Sequence, residues 1–420
     1  MKRTLDVVVG AAVLMTCAIG AAFNAQAQTL ATGDSRTVTQ PTYPSVCETI
    51  YAQFSSSQRA APPASDDTSR LQSALTSCAG TGASVVLASS GSNNAFYSNT
   101  LNIKGEALVL NSGVTLYGSN SYANNAELLY VTGKNAAIMG PGAIDGRGDL
   151  ITGTPRLVQS NGATSFTVFN VTLQQAAKMH LYVEGGSGFT AWGVNIRTPA
   201  TVANTDGIDI DSITNATVTQ SSIEAGDDGI AVKTNSAATS NVTVSNTRLY
   251  GTHGLSIGSQ TMYGISNVLF KNNYVYGQDL QGTYSTNNNA INIKTDPTCG
   301  GTVQQVTYQN TCIKGGRHLI ILNTAYGQCA GKAGIPQFSN IVINGVYSTG
   351  SQSGSYSKFY GYSAQKPISA FLGNVQLDAT AVNTSQYANV GVGASNLTPV
   401  GTGVNLSSYS PGGSVPSCSF

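Results

Sequence analysis

From Leu101 onward, apolar and polar residues alternate in short runs broken by Asn or Gly. The clearest run is Phe166-Thr167-Val168-Phe169-Asn170-Val171-Thr172-Leu173: a short strand, an asparagine, a second short strand. Similar pairs recur at 189–196, 216–223, 242–249, 268–275, 306–313 and 341–348, so the starts step by 23, 27, 26, 26, 38 and 35 residues. Strict alternation marks half-buried strands, and a drifting period in the twenties is the sequence mark of a parallel β-solenoid. Each coil stacks its two or three strands on their equivalents above and below, and the corners need the backbone freedom of Gly and Asn. A sandwich would show hairpin signals every ~8–12 residues, and a propeller blade a longer, regular repeat. The two long steps place inserted loops between Val268 and Ile341, and such insertions collect on one face.

Outside the repeat the pattern changes. Ser65-Asp66-Asp67-Thr68 precedes Leu71, Leu75 and Cys78, apolar positions at helical spacing behind a capping cluster. A helix here would close the open end of the coil, which otherwise exposes pairing edges. Residues 28–45 read as a loose polar lead, 28–100 as lead and cap, and 378–420 as an irregular Ser-, Gly- and Pro-rich tail that runs back outside the coil, held by Cys418. Lys2 and Arg3, an apolar stretch over 7–22, and Ala25-Gln26-Ala27 have the form of an export leader, residues 1–27, ahead of a single domain over 28–420. The apolar stretch is too short for a membrane anchor.

Charged residues are only 9% of the 420, and Gly numbers 47, which fits strands and turns better than a helical bundle or a disordered chain. The chain holds 20 basic and 19 acidic residues; loss of Lys2, Arg3 and Asp6 with the leader leaves the two equal. No global field would attract nucleic acid or another polyanion, so an acidic ligand needs locally placed cations. Without Cys17, six of the seven cysteines remain, an even number suited to disulfides in an exported chain. Cys47–Cys78 is the expected pair, since both flank the helix. The absence of any C-x-x-C pair argues against zinc, and no metal or other cofactor is expected.

Four polar clusters carry the chemistry: Asn204-Thr205-Asp206, Gly226-Asp227-Asp228-Gly229, Thr252-His253-Gly254 and Asn292-Ile293-Lys294. Asp206 to Asp227 is 21 residues, Asp228 to His253 is 25, and His253 to Asn292 is 39. The first two steps are close to one coil, which would stack the side chains ~4.8 Å apart. In Ile208-Asp209-Ile210-Asp211 the alternation turns both Ile inward and both Asp outward. Crowded carboxylates repel, so one should hold its proton while another ionises, the division of labour glycoside hydrolysis needs. A histidine nearby can tune the donor, and a lysine can grip a sugar carboxylate. By contrast, His180, His318 and Lys233 read as structural, and Trp192 as a strand neighbour.

The four clusters resemble the Asn-Thr-Asp, Gly-Asp-Asp, Gly-His-Gly and Arg-Ile-Lys motifs of the polygalacturonases, glycoside hydrolase family 28. The resemblance implies an all-β, right-handed parallel β-helix and inverting hydrolysis of α-1,4-linked galacturonic acid in pectin. It implies Asp227 as general acid, Asp206 and Asp228 as the holders of the attacking water, and His253 in the network that keeps the acid protonated. It implies Lys294 as partner of a galacturonate carboxylate, Tyr326 as a further substrate contact, and Asn204 as part of the first motif. Two positions depart from the pattern. Thr252 stands before His253, a small change. Asn292 stands where the family has Arg, a neutral amide in place of a charged fork; either this subsite binds uronate more weakly, or another cation substitutes, with Arg317, 25 residues on, the candidate. The expected protein is secreted and monomeric, with pectin as its partner and neither nucleic acid nor membrane. The competing readings are a calcium-dependent lyase on the same coil, a rhamnogalacturonan or xylogalacturonan hydrolase, and a non-catalytic carbohydrate-binding solenoid.

Overall fold

The computed structural model describes residues 28–295, 297–298, 300–327 and 334–420; the expected leader, Cys299 and Cys329 lie outside them. Among the described residues, thirty-one strands join one continuous sheet, and every pairing between these strands is parallel. The architecture is the expected parallel β-helix. Three ladders run its length. The one that carries the site climbs from Leu101–Lys104 through Ile208–Asp211, Ile230–Lys233, Leu255–Ile257, Asn289–Lys294 and His318–Asn323 to Tyr356–Tyr360. The other two ladders fuse in the upper coils into long bent strands, Ile265–Tyr276, Thr302–Lys314 and Gln337–Thr349. Among the described residues, no helix is long and apolar enough to cross a membrane.

Alternation sets the inside of the coil. On the site ladder, Val183, Ile210, Val232, Ile257, Ile293, Leu322 and Phe359 pair rung by rung and all are buried. Burying each such side chain contributes about 1.5–3 kcal/mol. The aromatics stack as well: the Phe270 and Tyr308 rings lie 4.5 Å apart and 9° from parallel. Left-handed backbone at the corners falls to asparagines, with Asn215, Asn241 and Asn267 at φ 62°, 57° and 55° on successive coils. Asparagine tolerates this region because its amide can bond locally, here Asn267 Nδ2 to Asn241 Oδ1 at 2.8 Å.

The helix Thr68–Cys78 buries Leu71, Ala74, Leu75 and Cys78 against the first coils, as the spacing implies. Its capping differs in detail. Asp67 occupies the cap position, but its carboxylate is buried and accepts the Tyr97 amide at 2.9 Å and Arg70 Nε at 2.7 Å. The neighbouring Asp66 accepts the Thr68 amide instead. The expected Cys47–Cys78 disulfide is present, with Cα atoms 6.1 Å apart.

Both ends of the chain depart from expectation. The lead is not loose: residues 29–36 run across the coils as a strap. The Thr29 amide donates to Asn340, Ala31 to Thr307, Thr32 to Asn267, Asp34 to Thr243, and Arg36 reaches the Gly188 and Phe189 carbonyls. Corner asparagines face outward with spare hydrogen-bonding capacity, so a polar segment binds them although it carries no apolar pattern. Nor is 378–420 irregular throughout. Ser385–Ser395 and Gly401–Ser408 add two more rungs; small residues hid the alternation. Only the last dozen residues run back, with Gly412 bonded to Asn344 and Asn374 and Cys418 bonded to Cys312.

Asn267 gives the strap a test. Its side chain accepts the Thr32 and Gly33 amides at 2.8 and 3.0 Å and donates to the Gly33 carbonyl at 3.1 Å. Asn267→Ala should lower stability by roughly 2 kcal/mol, and Asn267→Gly, which accepts the backbone angle, by less. Thermal midpoints read the ranking; an Ala variant as stable as wild type would show that the strap contributes nothing.

A carboxylate cleft with two lysines

Register builds the site. Ile208, Ile230 and Leu255 pair on successive rungs, and Asp206, Asp228 and His253 each stand two residues earlier. The three side chains therefore occupy one column along the mouth of the turn. The column continues through Asn289, His318 and Tyr356, which pair with one another. A second column on the strands' outward positions runs Asp209, Ala231, Ser256, Asn292, Ile321, Lys358. The expected vertical stacking is thus present, and it extends beyond the four motifs.

Asp206, Asp227, Asp228 and Asn204 line one cleft segment of about 160 Å³ together with Lys233, Lys294 and Tyr326. Asp227 is the most open of the three carboxylates, with a quarter of its side chain exposed, against 6% for Asp206 and 3% for Asp228. Its Oδ1 lies 2.9 Å from His253 Nδ1 and accepts the Asp228 amide at 2.8 Å. The backbone ties the two coils as well, with the His253 amide on the Asp227 carbonyl at 2.8 Å. Asp228 takes Lys294 Nζ on both oxygens, at 3.0 and 2.9 Å, and the Ser256 hydroxyl at 2.7 Å. Asp206 is held by Lys233 Nζ at 3.0 Å, and the same ammonium touches Asp209 at 2.5 Å.

The crowding splits the carboxyl groups, but not in the expected sense. Burial pushes Asp228 up, opposed by Lys294 and reinforced by Asp206 and Asp227. Burial and the Asp206 charge push Asp209 well up. Burial also works to raise Asp227, yet the His253 hydrogen bond and charge, then Lys294, outweigh it and bring Asp227 down to about 2. The free site therefore holds Asp227 ionised against His253, where the motif resemblance led one to expect a protonated acid. Burial opposes charge on both lysines, but the carboxylates around them win: Lys233 is held well above its ordinary range by Asp206 and Asp209, and Lys294 is raised by Asp228. The carboxylate and imidazole atoms of Asp227, Asp228 and His253 lie within 4.8 Å of one another, close enough to share a cation. In this arrangement the Lys294 ammonium already neutralises Asp228.

Several readings of single residues change. Asp209 and Asp211 do point out of the coil, yet both are fully covered. Lys233 belongs to the site rather than to the scaffold; its register with Asp211 was the available signal, since a residue one rung on shares the same face. Asn292 is buried and gives its amide to Ser256 Oγ at 3.2 Å, so it braces the hydroxyl that bonds Asp228. Arg317 does not stand above Asn292. That place belongs to Ile321, while Arg317 is exposed and precedes the strand, because the inserted loops lengthen the coil. His318 lines the cleft, with Nδ1 on Asn289 Oδ1 at 2.8 Å and burial drawing its pKa down to about 4. His180 is structural as expected: fully buried, bonded to the Asp206 carbonyl and Thr198, and pushed by burial down to about 4. Tyr326 stands over Lys294, its ring centre 5.2 Å from Nζ.

The model of the glycosyl hydrolases family 28 matches residues 78–396. An endo-polygalacturonase of Pectobacterium carotovorum subsp. carotovorum is 34% identical over an alignment of 401 positions, covering 86% of this chain and 93% of that protein. A polygalacturonase of Ralstonia solanacearum is 31% identical, covering 83% of each chain. Among solved structures, the polygalacturonase from Erwinia carotovora ssp. carotovora superposes with a TM-score of 0.73 at 32% identity, covering 85% of this chain and 99% of that one.

The Asp227 shift carries a sign that can be checked. A carboxylate lowered from 3.8 to about 2 adds stability that is complete above ~pH 4 and lost as the pH falls through 2. The stability advantage of wild type over Asp227→Asn should therefore shrink as urea unfolding is repeated from about pH 5 down to pH 2. A constant gap would mean that Asp227 is not held ionised.

Proposed function

The chain belongs to glycosyl hydrolases family 28 and is a glycoside hydrolase, and from that premise we propose that it is a secreted polygalacturonase, cleaving the α-1,4 bonds of polygalacturonate with inversion. The observation that carries the reading is the convergence of Asp206, Asp227 and Asp228 with two lysines on one cleft segment. Two disulfides among the described residues fit export, as does the expected leader over 1–27.

Asp227 is the group best placed to hand a proton to the leaving oxygen. It is the most open of the three cleft carboxylates, and its Oδ1 is engaged with His253 and the Asp228 amide. The proton it needs is shared along the 2.9 Å contact between Asp227 Oδ1 and His253 Nδ1. Entry of a polyanionic chain brings negative charge and expels water, and both raise a carboxyl pKa. The shared proton then moves to Asp227 and on to the glycosidic oxygen. Asp206 and Asp228, each pinned by a lysine, hold the water that attacks from the opposite face of the sugar. Inversion asks for about 6.5–9.5 Å between acid and base, wider than the 4.8 Å within which carboxylate atoms of Asp227 and Asp228 approach, so Asp206 is the base and Asp228 helps to place the water. Lys294 also faces the cleft and meets a sugar carboxylate, with Tyr326 beside it. Lys233 is a positioning residue for Asp206.

Time-resolved chromatography of polygalacturonate digests tests the reading, with proton NMR of the first product anomer. Wild type should release reducing ends as the β-anomer, and Asp227→Asn should be slower by ~10²–10⁴-fold. An unsaturated, ultraviolet-absorbing product would replace hydrolysis by elimination. The shared proton has its own signature: in His253→Asn, which removes the imidazole from Asp227 Oδ1, the alkaline limb of kcat/KM should move. An unmoved limb would take His253 out of the proton path.

A further inference from the structure

The cleft continues past the carboxylates. A second segment of about 170 Å³ shares Lys294 and Tyr326 with the first and extends to His318, Ile321, Tyr356 and Lys358. Its composition differs from its neighbour's: among the described residues no acidic residue lines it, while two lysines and two histidines do. Lys358 is its far cation. It stands two rungs above Asn292 in the same outward column, about 10 Å along the rod. Among the described residues, no carboxylate forms an ion pair with Lys358. Its Nζ lies 4.6 Å from the Tyr360 ring centre, and burial lowers its pKa. A half-buried ammonium without a counter-ion gains more from meeting an anion than an exposed one does. Between it and the reacting groups, Ile321 offers an apolar floor, and the His318 and Tyr356 rings, 4.6 Å apart, form a wall.

We propose that Lys358 binds the carboxylate of a uronic acid residue lying further along the cleft from the scissile bond, and so supplies the cation that Asn292 does not. A pyranose unit spans about one rung, so a chain gripped at Lys294 reaches Lys358 within two further sugars. The register explains why 25-residue counting misses it: the cation that serves this stretch lies two coils above Asn292, where the strand Tyr356–Tyr360 brings it back to the cleft. The inference rests on the polygalacturonase reading for the identity of the chain, and its test is a binding measurement that does not require turnover.

Binding of polygalacturonate is measured by affinity electrophoresis and calorimetry in the Asp227→Asn background, with and without Lys358→Met. The Met variant should bind roughly tenfold more weakly, the loss expected for one charge-assisted contact. Lys358→Arg should recover most of that loss, and the gap should narrow as salt is raised. A fully methyl-esterified chain should bind both proteins equally. In the otherwise wild-type enzyme, Lys358→Met should raise KM for polygalacturonate more than it lowers kcat. Equal binding of polygalacturonate by the Met variant and its parent, with unchanged thermal midpoints, overturns the proposal. So does an equal loss on the esterified chain, which would assign packing in place of charge. If wild type fails to cleave polygalacturonate yet binds it in a Lys358-dependent way, the hydrolase reading of this substrate falls and the subsite stands. If it cleaves polygalacturonate but binds it independently of Lys358, the hydrolase reading stands and the subsite falls. A protein that neither binds nor cleaves overturns both.

Discussion

Parallel hydrogen bonding between equivalent residues of successive coils holds each outward side chain ~4.8 Å from the next. Backbone pairing of this kind specifies register strongly, because a one-residue slip would turn every buried Ile and Val to solvent. Asp206, Asp228 and His253 meet because Ile208, Ile230 and Leu255 cannot shift. The same constraint governs what may be inserted. Loops enter between strands, so the lengthened coils keep their register on the cleft face up to His318–Asn323, and one irregularity follows at the step to Tyr356–Tyr360. The strap at residues 29–36 and the disulfides at both ends brace the coil without touching the site.

Rigid columns allow an unusual density of charge. Five ionisable groups, Asp206, Asp209, Asp228, Lys233 and Lys294, are all nearly buried. Isolated, each would carry a desolvation penalty of several kcal/mol. They persist because each lysine faces a carboxylate within about 3 Å, one coil away for Lys233 and two coils away for Lys294. The arrangement is preorganised: the dipoles and charges that would steer a water and a leaving group are fixed before the substrate arrives. It also polarises the cleft. Among the described residues, carboxylates gather at one end and Lys358, with no ion-pair partner, stands at the other, so a chain of near-zero net charge can still carry a local field.

Much of this was legible along the chain. Alternation broken by Asn and Gly identifies the coil, and a capping cluster before Leu71 and Leu75 places the helix, because both patterns are local and repeat. The four polar clusters with their roughly one-coil spacing locate the cleft for the same reason. Less legible were the ends. The strap has no apolar pattern, and Ser385–Ser395 is built of small residues, so neither announces an ordered partner.

What the tertiary structure alone decided is pairing between coils of unequal length. Position 292 meets Ile321 and not Arg317, Lys233 turns from a scaffold residue into the partner of Asp206, and Lys358 returns to the cleft two coils above Asn292. The balance of burial against neighbouring charge, which leaves Asp227 ionised and lifts Asp228, likewise depends on distances between residues far apart in sequence. Composition and spacing determine which groups are available and on which face they stand. Only the closed stack determines which of them touch, because electrostatic interaction depends on separation in space and on the water that packing excludes.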